Sequence, residues 1–439
     1  MSTACILLVR ISTARETAQE YAHKRATTRA GAIMYLLKFL NGTKFSGAES
    51  SILRTTTVEY RLACSAEFFN STVIGADWRK SDVTRILLET PFELFVVSMP
   101  FDGYPQELAL RFALDYTTEK SGNAQSTFLP DEEIVDDLCA LLTLLARRLI
   151  APVVKTKEQA DYQHQTFSSF FCDRPMPLLP MPQFPAWRRR PASIMIGLHD
   201  QRVMSYDPPP VGVDPEALRG VLTALASNKN AEVLLNAARL YKTGMELIES
   251  RPDISYQLLI STAESLSNVA LADYRPDEAE IIESKRRLVE YVEKCALSEE
   301  MARSIALEAS KGDRWTKKKF RQFLSTYSSD DIWEEDPLFV VPENLRPKRE
   351  DFDRTLGRIY NLRSRNLHAG SAFPRSIRIG TSPLYSVRDL PIDFLAKVDI
   401  PAVAWFEKVV SSAAQRLIAE ETGTKSAMPF QSIGGSRRH

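Results

Sequence analysis

A proline-rich stretch near the middle of the chain limits how the chain can fold. Ten of the 25 prolines lie between Asp173 and Pro215. Proline fixes the backbone angle φ and has no N–H group to donate, so this stretch cannot form a long helix. We therefore predict an extended connector over residues 173–214, interrupted by a strand at Ala192–Leu198. The connector separates two halves of the chain that have different sequence patterns.

The half before the connector combines the patterns of strands and helices. β-branched and aromatic residues, or apolar residues that alternate with small and polar ones, are typical of strands. A helix is indicated where apolar residues recur at helical spacing after an acidic first turn. The predicted strands are Thr55–Cys64, Phe92–Met99 and Glu107–Thr117, and the predicted helices are Glu16–Leu40 and Asp131–Ile150. Residues 1–205 are thus predicted to form an α+β domain, and these patterns give no indication of its role.

Almost every segment after the connector has the pattern of a helix. Asp214, Pro215 and Glu216 supply an N-cap, a proline at the first helical position and an acid in the first turn. No internal repeat is present, so a helical solenoid is not predicted. We predict an all-α helical bundle over 215–421 and a disordered tail over 422–439. Its helices are placed at 215–227, 230–250, 253–271, 275–297, 299–311, 315–327, 349–369 and 394–421.

Charge and cysteine content narrow the class of protein. The chain has 56 basic and 56 acidic residues, and this balance argues against a surface that is basic throughout, as in proteins coated with nucleic acid. The five cysteines are widely spaced, so neither a disulfide framework nor a zinc site is predicted. No apolar run is long enough to span a bilayer, and Ala4–Val9 is too short for the core of a signal peptide. We expect a cytoplasmic protein without a metal, another cofactor or a membrane contact.

One helix in the second half has an unusual charge pattern. Residues 352–370 read FDRTLGRIYNLRSRNLHAG. At 100° per residue, Arg363 lies near the middle of an apolar stripe, and His368 projects between this stripe and the opposite face in the last turn before Gly370. A buried arginine is costly unless it is paired, so the pattern requires a compensating partner. The stripe consists of Phe352, Leu356, Ile359, Tyr360 and Leu367, and the opposite face carries Arg354, Arg358 and Arg365.

Each of these features also has a purely structural interpretation. A row of arginines is most often a solvated helix face. A histidine in the last turn interacts favourably with the helix dipole, and Arg363 alone is compatible with an ordinary buried salt bridge. The run from Arg354 to His368 contains four arginines and no acid. It is this combination that indicates a functional site.

The segment Tyr360–Gly370 resembles the signature helix of the HEPN superfamily and is most similar to the ApeA-type branch. The superfamily motif is an arginine, four to six residues and then a histidine, and Arg363 and His368 fit this spacing. The resemblance covers roughly residues 215–421 and does not extend to the first half. Ser364 departs from the family pattern, because active members often have Asn, Asp or His at that position. A second, smaller departure is Ala369, which separates the histidine from the glycine.

The resemblance implies a metal-independent endoribonuclease that acts on RNA as a homodimer, in antiviral defence or in a toxin-like response. Two copies of the motif would face each other across the dimer. His368 is suited to general acid–base catalysis, because the histidine pKa lies near neutrality. Arg363 is suited to stabilising phosphate charge through its planar fork. The predicted RNA contacts are Arg358, Arg365 and Ser364, and the predicted supporting residues are Asn366 and Glu264, the latter as the partner of Arg363.

Two other interpretations stay open at this point. The departure at Ser364 favours a non-catalytic HEPN-like module for dimerisation or RNA binding, which would serve a sensing N-terminal domain. Lys317, Lys318 and Lys319 lie beside Trp315 and Phe320, a mixture of basic and aromatic residues that occurs in single-strand binders. A solvated helix face is the simpler interpretation of that second pattern.

Overall fold

The computed structural model shows an antiparallel sheet region followed by a helical region. This confirms the predicted order of a mixed half and an α-helical half. Of the predicted helix Glu16–Leu40, residues 35–40 are helical and the remainder lies outside the described residues. The structure describes residues 35–42, 51–72, 86–98, 107–119, 131–162, 165–170, 192–195, 203–206, 210–295, 298–310, 315–334, 336, 341, 346–378, 400–424 and 429–432.

A six-stranded sheet forms the centre of the first half. The described strands are β1 (Ser51–Cys64), β2 (Phe68–Asn70), β3 (Ile86–Leu88), β4 (Glu93–Ser98), β5 (Glu107–Glu119), β6 (Ile150–Tyr162), β7 (Gln165–Phe170), β8 (Ala192–Met195), β9 (Val203–Tyr206), β10 (Val211–Val213) and β11 (Phe430–Ser432). The sheet has the order β3-β4-β5-β1-β6-β7, and all of its neighbours are antiparallel. The three predicted strands correspond to β1, β4 and β5.

Alternation along β1 explains how the sheet forms one side of the core. Thr56, Val58, Tyr60 and Leu62 are buried, whereas the residues between them are half-buried. Successive side chains of a strand point to opposite faces, so one face of β1 packs inward and the other approaches solvent. The long pairing with β5 and β6 places this strand in the interior of the sheet.

Strands β6 and β7 were not predicted from the sequence. The helix predicted over Asp131–Ile150 ends at Ala146, Arg147 adopts a left-handed φ of 52°, and Ile150 begins β6. Leu149 and Ile150 continue the apolar pattern of the helix, but a short apolar run fits a buried strand equally well. The prediction was therefore wrong for the last turn.

Helices make up most of the second half, and the first of them starts at the predicted cap. The carboxylate of Asp214 accepts hydrogen bonds from the N–H groups of Glu216 and Ala217, at 3.0 and 3.1 Å. The described helices are α1 (Asp131–Ala146) in the first half and then α2 (Pro215–Ser227), α3 (Ala231–Leu247), α4 (Pro252–Ala270), α5 (Glu278–Ser284), α6 (Arg286–Lys294), α7 (Glu299–Ser310), α8 (Thr316–Tyr327), α9 (Phe352–Ala369) and α10 (Val403–Glu421).

Two helices predicted in the second half differ from the structure. The segment predicted as one helix over 275–297 forms α5 and α6, which are separated at Lys285. The helix predicted to begin at residue 394 begins at Val403, and residues 394–399 lie outside the described residues. Short 3₁₀ turns occur at Asp330–Trp333, Arg349–Asp351 and Arg375–Arg378. None of the described helices has both the length and the apolarity that a membrane span requires.

The end of the connector and the C-terminal segment return to the first half. Strand β10 pairs in parallel with β2 and antiparallel with β11. Phe430 of β11 packs edge-on against Phe68 of β2, with ring centroids 6.2 Å apart. The prediction of a disordered tail over 422–439 is therefore wrong for Phe430–Ser432, because burial of an aromatic ring stabilises this strand. Within the connector, β8 confirms part of the strand predicted at Ala192–Leu198 and pairs with β9.

Helix α1 lies between the sheet and the helical bundle. Apart from Glu132, Glu133 and Asp136, its residues are buried, and it packs against β6, α3 and α10. A helix that is buried on most of its sides is typical of an element enclosed by others. One continuous apolar core consequently extends from the sheet into the helices.

A buried network of charges joins the two halves beside α1. The guanidinium of Arg147 contacts the carboxylate of Glu407 at 2.7 Å and that of Asp336 at 2.8 Å. The hydroxyl of Tyr241 also donates a hydrogen bond to Glu407. Glu407 is fully buried on α10, so it depends on these donors for compensation of its charge. The network therefore links the end of α1 to α3 and α10.

Because the carboxyl of Asp137 on α1 is buried, we expect the free energy of unfolding to depend on pH. Burial raises the pKa of this carboxyl from 3.8 to about 6, although Arg239 opposes the shift. The folded state then binds more protons than the unfolded state between about pH 4 and pH 6, so stability falls as the pH rises through this window. Over that range we expect the wild type to lose about 3 kcal/mol relative to Asp137→Asn, which has no carboxyl to titrate. Urea unfolding of both proteins at several pH values measures the difference, and parallel curves would contradict the prediction.

Candidate functional site

The helix with the unusual charge pattern is α9, which packs against α4 and α8. It follows the 3₁₀ turn Arg349–Asp351 and ends at Gly370, whose φ of 64° is left-handed. The N–H of Gly370 donates to the carbonyls of Arg365 and Asn366. A glycine in this conformation is the usual C-terminal cap, so the sequence itself determines where the helix ends.

The buried face of α9 is rotated relative to the predicted stripe. Leu356 and Ile359 are buried as expected, but Leu362 is also buried, whereas Leu367 is 54% exposed. The centre of the buried face therefore lies about 60° from the predicted one, toward Thr355 and Leu362. The prediction of Leu367 in the core was wrong, and Arg363 lies at the edge of the buried face rather than at its middle.

Arg363 forms an ion pair with Glu264 of α4. Its Nη2 lies 2.9 Å from Oε2 of the glutamate, and the two side chains are 24% and 13% exposed. The guanidinium carbon also lies 5.9 Å from the centroid of the Tyr360 ring. Glu264 is thus the carboxylate that compensates the charge of this arginine.

Tyr360 connects the same glutamate to the aromatic core. Burial raises the pKa of its hydroxyl to about 12, and the nearby charge of Glu264 acts in the same direction. The phenol therefore stays protonated at neutral pH and is available as a donor to this carboxylate. Its ring packs against Phe320 of α8, with centroids 5.4 Å apart. From the sequence Tyr360 was assigned only to the apolar stripe, although its position three residues before Arg363 puts the two side chains side by side on a helix.

Asn366 fixes the end of α9. Its Oδ1 accepts a hydrogen bond from Nε2 of Gln257 on α4, and its Nδ2 donates to the carbonyl of Ser371 at 2.6 Å. These two bonds tie the last turn to the neighbouring helix and to the chain beyond Gly370. Gln257 is a supporting residue that the sequence did not indicate, because the contact joins residues far apart in the chain.

His368 is exposed in the last turn of α9. Within the described part of the chain, its ring takes part in no hydrogen bond or ion pair. It follows Arg363 by five positions, which on a helix corresponds to about 140° around the axis and about 7.5 Å along it. A single copy of α9 therefore presents the two motif residues on different faces.

The other basic residues near α9 differ in their surroundings. Arg358 and Arg365, both predicted to bind RNA, are exposed, and Ser364 is half-buried. Arg354 pairs with Asp351 of the preceding turn. On the adjacent α8, Lys318 pairs with Glu280 and Arg321 with Asp353. In the Lys317–Lys319 run, Lys317 is exposed and Lys318 is paired, and Phe320 beside them is buried, which fits a helix face with an apolar inner side.

Comparison with known proteins identifies no relative of this chain. No family model, no curated protein and no solved structure matches it. Among the described residues, no group of histidine, cysteine, aspartate and glutamate side chains has an arrangement that would hold a metal ion. The functional assignment therefore depends on the geometry of α9 and on the resemblance of its motif.

Proposed function

We propose that this chain is a metal-independent endoribonuclease of the HEPN type, in which His368 transfers protons and Arg363 stabilises charge on the phosphate. One observation carries the proposal: on one helix, an arginine that is held by an ion pair with Glu264 and an exposed histidine have the spacing of the motif. A guanidinium has five N–H donors, and the contact with Glu264 engages one of its nitrogens. The remaining donors can meet a phosphate, since the side chain is partly exposed.

The two side chains match the chemistry of RNA cleavage. The reaction removes a proton from the 2′-hydroxyl and develops additional negative charge on the phosphate. Histidine is the side chain that enzymes use most often for general acid–base catalysis. The planar fork of an arginine fits phosphate oxygens and stabilises their charge. Arg358, Arg365 and Ser364 would bind the RNA backbone next to this centre.

A homodimer would complete the site. Because Arg363 and His368 point to different faces of α9, we propose that Arg363 of one copy acts together with His368 of a second copy. A two-fold axis near the end of α9 would produce two such sites. Leu367 lies between Arg363 and His368 in the sequence, and its exposed side chain supplies apolar surface for the contact between the two copies.

The first half is proposed to sense a signal and to regulate cleavage, in antiviral defence or in a toxin-like response within the cytoplasm. Support comes from α1, which packs against both the sheet and the helices. The ion pair between Arg147 and Glu407 adds a charged link between the halves. A change in the sheet would therefore alter the helical half through direct contacts.

One observation favours a second candidate function. The charge of Arg363 is already compensated by Glu264, and a compensated arginine is a weaker electrostatic catalyst. Together with Ser364, this supports a non-catalytic module that dimerises or binds RNA. The two candidates differ in one property, since only the first cleaves the RNA that it binds.

The experiment compares RNA cleavage by the full-length wild type, Arg363→Ala and Arg354→Ala in the presence of EDTA. End-labelled RNA is incubated with and without small molecules extracted from phage-infected cells. We expect Arg363→Ala to lower the rate about 10²–10³-fold, as the loss of a transition-state donor does. Arg354→Ala is the matched control on the same helix and is expected to cleave at the wild-type rate. Binding without cleavage by the wild type would support the second candidate instead.

A further inference from the structure

We infer that Glu264 and Tyr360 are positioning residues, which together hold the Arg363 guanidinium in the orientation that meets a phosphate. The inference rests on the proposed ribonuclease function and assigns it two residues outside the arginine–histidine motif. Neither residue touches the RNA in this arrangement. Both act through Arg363.

The ion pair fixes the end of a long side chain. Nη2 of Arg363 lies 2.9 Å from Oε2 of Glu264, and the guanidinium carbon lies 5.9 Å from the centroid of the Tyr360 ring. Contacts with a carboxylate and with an aromatic ring limit both the position and the tilt of the guanidinium. A catalytic group that is oriented in advance loses less entropy when the transition state forms.

Tyr360 in turn holds the carboxylate. Burial and the nearby charge of Glu264 raise the pKa of its hydroxyl to about 12, so the hydroxyl keeps its proton at neutral pH and can donate to this carboxylate. The Tyr360 ring packs against the fully buried Phe320. Glu264 of α4 and Tyr360 of α9 therefore contact the guanidinium, and Phe320 of α8 supports the Tyr360 ring.

A neighbouring arginine on the same helix shows what is special about Arg363. Arg354 also contacts a carboxylate, that of Asp351, but its side chain is 63% exposed. The side chain of Arg363 is only 24% exposed. Ion pairs at exposed positions restrict their side chains little, since water competes for both groups. Of these two arginines, only Arg363 is both held and partly accessible.

The test measures cleavage by the full chain carrying Glu264→Ala, Glu264→Gln or Tyr360→Phe, with Asp351→Ala as the matched control. We expect Glu264→Ala to lower kcat roughly 10- to 100-fold with little change in KM, because misplacement of a catalytic group affects the transition state most. Glu264→Gln should recover most of kcat, because its amide oxygen still accepts from the guanidinium. Tyr360→Phe should lower kcat about 3- to 10-fold, and Asp351→Ala should behave as the wild type.

Fluorescence anisotropy measures the binding of a 2′-O-methyl RNA oligonucleotide. Together with the cleavage rates, it distinguishes a failure of this inference from a failure of the proposed function. If the wild type cleaves RNA and Glu264→Ala cleaves equally well, the positioning role is overturned and the ribonuclease function stands. If the wild type only binds, and Glu264→Ala weakens binding while Glu264→Gln does not, the positioning of Arg363 stands and cleavage fails. A wild type that neither binds nor cleaves overturns both.

Melting temperatures separate positioning from folding. If Glu264→Ala does not fold, the inference is tested with Glu264→Gln and Tyr360→Phe, each of which changes a single functional group. A Tyr360→Phe protein with the wild-type melting temperature and the wild-type kcat would overturn the role of the hydroxyl. A lower kcat at an unchanged melting temperature supports it.

Discussion

Replacement of His368 by alanine is expected to lower the rate of RNA cleavage by about 10²–10⁴-fold, the usual contribution of a general acid or base. The side chain is exposed in the last turn of α9, so its removal leaves the core unchanged. The melting temperature should therefore stay close to that of the wild type. Single-turnover cleavage of labelled RNA in EDTA measures the loss, and an unchanged rate would remove His368 from the mechanism.

Mixing two inactive variants tests whether the site is shared between copies. In a 1:1 mixture of Arg363→Ala and His368→Ala, half of the randomly formed dimers contain one of each. If Arg363 of one copy acts with His368 of the other, every mixed dimer has one intact site, and about a quarter of the wild-type activity returns. If both residues act within one copy, the mixture stays inactive. Exchange of subunits is controlled by giving the two variants different affinity tags and detecting each variant in the fraction captured through the tag of the other.

Replacement of Glu407 by alanine is expected to lower the free energy of unfolding by about 3–5 kcal/mol. The carboxylate is fully buried and accepts from both Arg147 and Tyr241. Its removal takes one of two carboxylate partners from the partly buried Arg147 and removes the carboxylate to which the Tyr241 hydroxyl donates. Urea unfolding measures the loss.

Because the network joins α1 to the helical half, we also expect the unfolding of both halves to remain a single transition in the wild type.

Two further variants serve as controls for this prediction. Glu216→Ala removes an ion pair with Arg219 in which the glutamate side chain is 76% exposed, so a change of at most about 0.5 kcal/mol is expected. The double variant Arg147→Met/Glu407→Met removes both charges and should be less destabilised than Glu407→Met alone. If Glu407→Ala and Glu216→Ala lower the free energy of unfolding equally, the buried network stabilises the protein no more than an exposed ion pair does.

Local signals in the sequence predicted a large part of the fold. The cap at Asp214 and the proline that follows it determined the start of α2, and Gly370 determined the end of α9. Such signals succeed because capping groups are satisfied within a few residues of the chain. By contrast, β6 and β7 were missed, because pairing across a sheet decides whether a short apolar run becomes a strand.

The candidate site was also predicted only in part, because local motifs are visible in the sequence and contacts between helices are not. Arg363 and His368 came from a motif within one helix, and Glu264 was named as the partner of Arg363. The contribution of Tyr360 was missed, since an apolar stripe gives no sign that a hydroxyl will meet a carboxylate from another helix. Gln257 was missed because its contact with Asn366 joins two separate helices.

The sequence by itself determined which residues α9 contains and the angles between their side chains, because helical geometry is the same in every context. Only the tertiary structure decided which side of α9 meets its neighbours. Packing against α4 and α8 turned the buried face by about 60°, which placed Leu362 inside, Leu367 outside and Arg363 at the edge. The physical reason is that a helix can rotate as a whole without changing its own hydrogen bonds. The depth at which each side chain lies, and hence the exposure of His368, is therefore set by contacts with distant parts of the chain.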